Sequence, residues 1–90
     1  MQQSNSPSLG FAKFREKIQA EYPGCIARTA IPRATGGLLS KGHMQNLDSQ
    51  GLGPKRLKIG KRSGYITSDF LDWLEARSQI IDPSETTVEG

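Results

Sequence analysis

The 90-residue sequence predicts a mainly α domain carrying one small β-hairpin, and three observations lead there. Apolar residues recur at helical spacing in separated stretches, around Phe11, Met44 and Leu71. The stretches are divided by chain-breaking residues: "YPG" at 22–24, Gly36-Gly37, and "GLGP" at 51–54. Finally, "KRLKIGKRSGYI" at 55–66 sets the strand-forming Leu57, Ile59, Tyr65 and Ile66 among five cations. A chain this short makes one domain with a thin core, expected over residues 9–81 between two polar, disordered tails at 1–8 and 82–90.

Taken in order, Ser8 caps a helix from about Leu9 to Glu21, in which Leu9, Phe11, Phe14 and Ile18 share one face. Pro23 and Gly24 stop it. Thr29 reads as the N-cap of a short helix from Ala30 to about Thr35, with Pro32 tolerated in its first turn. Ser40 then caps a helix running to about Asp48, where Met44 and Leu47 lie three apart and His43 packs beside them, half-buried. Gly51 is a natural left-handed cap for its end. Two strands follow, Arg56 to Ile59 and Gly64 to Ile66, joined by a turn near "GKRS". In such a ribbon alternate side chains face opposite ways, so Leu57 and Ile59 are expected to point at the helices, with Arg56 and Lys58 outward. Thr67 or Ser68 caps the last helix, Asp69 favours its N-terminal dipole, and Phe70, Leu71, Trp73, Leu74 and Ile81 form its apolar face. Tyr65 and Trp73 are expected in the core.

Several function classes drop out at this stage. No apolar run approaches the roughly 20 residues that cross a bilayer, so no membrane role is expected. The N-terminus lacks the charged-then-apolar order of a signal peptide, which fits a cytoplasmic protein. The single Cys25 forms no internal disulfide and falls short of a zinc site; it is expected to be a half-buried small hydrophobe. His43, the only His, has no partner at metal spacing, and no nucleophile–base pair or phosphate loop is present. Neither an enzyme nor a cofactor is expected.

The net charge of +3 conceals a sharp division. From Arg28 to Ile66 eight cations face one anion, Asp48, for a net of +7. From Thr67 onward one cation, Arg77, meets six anions, for a net of −5. A basic centre beside an acidic end is the footprint of a protein that turns one surface to a polyanion.

Two short helices with a tight turn, a basic hairpin and a closing helix follow the order of a winged helix-turn-helix. On that fold the helix at about 40–48 is the reading element and the hairpin at about 56–66 the wing. The candidate DNA-binding residues are Ser40, Lys41, Gln45 and Asn46 on the helix, and Lys55, Arg56, Lys58, Lys61 and Arg62 on the wing. Amides such as Gln45 and Asn46 can pair bidentately with adenine, and cations reach phosphates. The competing class is a protein-interaction adaptor, favoured if the hairpin cations are satisfied by the chain's own acidic end.

The stretch "GLGPKRLKIGKRSGYITSDFLDWLEARS" resembles the second half of small MerR-like winged-helix proteins, the excisionases of phages and integrative elements and the AlpA-type regulators. The marks are Gly51, Gly53-Pro54, Lys58-Ile59-Gly60, Arg62, Tyr65, Asp69 and Trp73-Leu74, in order and without insertion. In that family the reading helix begins Ser-x-x-Thr; here Ser40 is followed by His43 at the Thr position, then by Met44 as the aliphatic. The resemblance implies a sequence-specific binder of double-stranded DNA, either an accessory factor for recombination or a small transcription regulator. It also implies a site-specific integrase or recombinase as a partner and head-to-tail self-association on DNA.

Overall fold

The structure, a computed structural model, describes residues 8–79. Helix α1 spans Ser8–Glu21 and buries Phe11 and Ile18, with Phe14 half-buried on the same stripe. Its last turn closes with Tyr22 N–H donating to the Ile18 carbonyl at 2.8 Å, just before Pro23. The chain then does something the sequence did not announce. Cys25–Ala27 is a strand, β1, with Ile26 fully buried between two exposed neighbours.

A 3-10 turn over Arg28–Ala30 leads into α2, only Ile31–Ala34. Thr29 is therefore not a cap: it lies inside the 3-10 turn, which begins one residue earlier and has no side-chain cap. Thr35 ends α2 instead. Its buried hydroxyl donates to the Ile31 carbonyl at 2.9 Å and accepts from Leu39 N–H at 3.1 Å, spanning the Gly36-Gly37 turn.

Helix α3, Lys41–Ser49, follows the sequence closely. Ser40 Oγ accepts from His43 N–H at 3.0 Å, satisfying one of the free amides of the first turn. At the other end Gly51 stands at φ +75, Leu52 N–H donates to the Leu47 carbonyl at 2.9 Å, and Gly51 N–H to that of Asp48 at 3.1 Å. This pair of bonds is a Schellman motif, and glycine enters its left-handed position without a Cβ penalty.

The hairpin consists of β2, Leu57–Ile59, and β3, Arg62–Ile66, joined by Gly60-Lys61 with Gly60 at φ +62. Strand β3 is central, in an antiparallel sheet of order β1-β3-β2. Its register pairs Ile26 with Tyr65 and Ala27 with Gly64 on one side, and Leu57 with Gly64, Lys58 with Ser63 and Ile59 with Arg62 on the other. Paired residues share a face. Tyr65 and Ile26, both fully buried, define the inner face, so Ser63 and Lys58 lie on that side. Leu57, Ile59 and Ile66 lie on the outer face with Cys25 and Ala27. The expected phase of the ribbon is thus reversed: Ile59 is 70% exposed and Leu57 only half-buried. Cys25 is likewise an exposed free thiol rather than half-buried.

Helix α4, Thr67–Arg77, closes the fold. Neither Thr67 nor Ser68 caps it, because Ile66 occupies the N-cap position. The Thr67 hydroxyl instead donates to the Tyr22 carbonyl at 2.6 Å and its N–H to that of Gly24 at 3.1 Å, tying α4 to the end of α1. Phe70 and Leu71 are buried, while Trp73 and Leu74 are only half-buried against the core. Trp73 donates Nε1–H to the Leu52 carbonyl at 2.9 Å, stacks on Phe70 with ring centroids 6.1 Å apart, and carries the Arg77 guanidinium 4.9 Å above its ring. Arg15 of α1 reaches Asp72 at 2.6 Å and Glu75 at 3.4 Å. These bridges are exposed and contribute at most about 1 kcal/mol each. The described fold is four helices and a three-stranded antiparallel sheet around Phe11, Ile18, Ile26, Ile31, Met44, Leu47, Tyr65, Phe70 and Leu71. Ile81 and the expected tails, apart from Ser8, lie outside the described residues, and no described helix is long and apolar enough to cross a membrane.

Candidate nucleic-acid interface

Met44 and Leu47 anchor α3 in the core, which fixes the rotation of the helix and leaves Lys41, Gly42, Gln45 and Asn46 exposed. Gly42 stands at the centre of this outer face, with nothing within 4 Å of where a Cβ would be. His43 is exposed rather than half-buried, because Met44 takes the inward position.

Between α3 and the hairpin tip lies a cleft of about 470 Å³ lined by Ala27, Arg28, Thr29, Lys41, Gln45, Lys61, Arg62 and Ser63. Four of the expected site residues, Lys41, Gln45, Lys61 and Arg62, meet there. The lining contains four cations and no carboxylate. The other expected residues are distributed around it. Ser40 is engaged in capping, Asn46 sits on the outer face of α3, and Lys55 and Arg56 are exposed on the segment entering β2. Lys58 shares the inner face of the sheet with Ser63, one strand further out. Among the described residues none of Lys55, Arg56, Lys58, Lys61 and Arg62 forms an ion pair; the described acidic residues of α4 that do pair meet Arg15.

Arg28 is the residue that sequence reasoning missed. The one anion of the basic block, Asp48, has its side chain 3% exposed, and its Oδ2 accepts from Arg28 Nη2 at 2.6 Å and from the Tyr65 hydroxyl at 2.6 Å. Arg28 Nε also donates to the Tyr65 oxygen at 3.3 Å. The triad joins the 3-10 turn, α3 and β3, the three elements that wall the cleft. Hydrogen bonds to Tyr65 and Asp48 push the Arg28 pKa above its ordinary value, so it stays charged. Burial raises that of Tyr65, which stays a phenol able to donate. Gly53 completes the arrangement, since a Cβ there would collide with Asp48 Oδ1. The only sequence hint was a lone anion, Asp48, in a cationic block; its partners stand 20 and 17 residues away.

Electrostatically the consequence is simple. Asp48 is neutralised internally by Arg28, and the remaining cations of the block face outward uncompensated. Such a concave cationic surface beside an exposed helix favours a polyanion of matching width.

No family model, curated protein or solved structure matches the chain.

Proposed function

We propose that the protein is a winged helix-turn-helix binder of double-stranded DNA, with α3 as reading helix and the β2–β3 hairpin as wing. It serves on this reading as an excisionase-like accessory factor or a small transcription regulator. The observation that carries it is the α3–hairpin cleft, with Arg28, Lys41, Lys61 and Arg62 around Gln45 and no carboxylate in the lining. Cations at the hairpin tip meet phosphate or a narrow groove, while the exposed amides of Gln45 and Asn46 reach base edges.

The test is fluorescence anisotropy of a labelled mixed-sequence duplex across a salt series. Each neutralised phosphate contributes about 0.9 to the slope of log affinity against log salt, so four to six contacts give roughly −4 to −5. A slope near zero, or no binding at low salt, refutes the proposal. That outcome supports the adaptor alternative, for which the exposed apolar outer face of the sheet, Leu57, Ile59 and Ile66, speaks.

A further inference from the structure

We infer that the floor of the cleft is a seat for one DNA backbone phosphate, and that Arg28 holds it from a bracket made of Asp48 and Tyr65. The inference rests on the DNA-binding proposal and adds a contact residue and the device that presents it.

Arg28 lines the cleft, yet its side chain is only 14% exposed. Nη2 and Nε are engaged with Asp48 and Tyr65, and Nη1 has no hydrogen-bond partner among the described residues. A guanidinium presents five N–H donors in a rigid fork, so a partly engaged Arg keeps donors for a ligand while its orientation is fixed. An ordinary surface Arg loses side-chain freedom when it grips a phosphate, and that loss weakens binding. Arg28 has lost it already in folding. Lys41 on one wall and Lys61 and Arg62 on the other add charge around the same point. All four are cations, and a phosphate carries the single negative charge and multiple acceptor oxygens that suit such a ring.

Stability alone does not account for the triad. Replacing a buried ion pair by apolar side chains of similar volume is often neutral or stabilising. A charged bracket at the base of a cationic cleft has its explanation in what it presents.

The decisive variant is Arg28→Met with Asp48→Leu and Tyr65→Phe. It removes one cation and one anion, so net charge and long-range attraction are unchanged, and it leaves no buried polar group unpaired. The expected result is a folded protein melting at or above the wild-type temperature. Its affinity for a mixed-sequence duplex at 0.1 M salt falls about eightfold, and the log–log salt slope becomes shallower by about 0.9. A merely structural triad would move the melting temperature and leave that slope alone. A folded variant with wild-type affinity and slope overturns the inference.

A second measurement uses the wild-type protein. The Arg28 Nε–Hε resonance should be protected from exchange in the free state and shift when the duplex is added. Duplex binding with an unmoved Arg28 resonance also overturns the inference, while failure of the wild-type protein to bind any duplex overturns the parent proposal instead.

Discussion

Replacing Lys61 and Arg62 together by Ala isolates the contribution of the hairpin tip. Both side chains are exposed, line the cleft, and have no ion-pair partner among the described residues. Their loss should therefore leave the fold intact, since surface substitutions away from special features usually change stability by no more than about 0.5 kcal/mol. Binding is another matter. If each cation neutralises one phosphate, the two contribute about 1.8 log units at 0.1 M salt relative to 1 M, roughly 60-fold or about 2.4 kcal/mol. The slope should flatten by the same amount, from roughly −4 to −5 to roughly −2 to −3. Anisotropy titration of the double variant and wild type at several salt concentrations reads both quantities, with circular dichroism as the control for folding. Because the tip meets backbone or a narrow groove, the loss should be alike on selected and random duplexes. Unchanged affinity with an unchanged spectrum would mean that the tip is idle and the reasoning wrong.

Other consequences are equally concrete. Gln45→Ala and Asn46→Ala should each weaken binding to a selected site by about 1–3 kcal/mol per lost base contact, with random DNA little affected; equal losses on both would misplace the reading helix. Gly42→Ala should raise stability by about 0.5–1 kcal/mol through helix propensity, since its Cβ meets open space, yet weaken DNA binding if the outer face of α3 seats against a groove. Thermal melting and anisotropy on one variant separate the two effects. Burial raises the Tyr65 pKa above its ordinary value of 10.0, so its contribution is fully present below that value and is lost as pH rises through the folded pKa. Denaturant titrations from pH 8 to 11.5 should show stability falling only above about 10, and Tyr65→Phe should remove part of that fall.

Local signals were the legible part of this fold. Ser40 and Gly51 bracket α3 because a cap needs only a hydroxyl at one end and a permissive backbone at the other. The hairpin was visible for a similar reason, as was the helical stripe of α4. What escaped depends on partners remote in sequence. Strand β1 is three residues long and exists because Cys25–Ala27 pairs with Ile66–Gly64, some forty residues later. That pairing also explains the reversed phase of the wing. Tyr65 and Ile66 are adjacent and apolar, but only one can face inward, and Tyr65 has Asp48 and Arg28 waiting for its hydroxyl. Once Tyr65 turns in, Ser63 and Lys58 follow it and Leu57 and Ile59 turn out. The candidate site was legible as a charge pattern, and four of its residues do converge on one cleft. Arg28 was not, because its role is set by a buried carboxylate that sequence spacing does not connect to it.

The central claim is that duplex DNA binds in the cleft between α3 and the hairpin. Amide-resolved NMR of the labelled protein, titrated with a short duplex, tests it most directly. The account predicts shifts concentrated at Ala27–Thr29, Lys41–Asn46 and Lys58–Ser63, with the α1–α4 face around Arg15 and Asp72 undisturbed. Shifts confined to the outer face of the sheet or to α1 and α4, or no shifts at all at low salt, would contradict it.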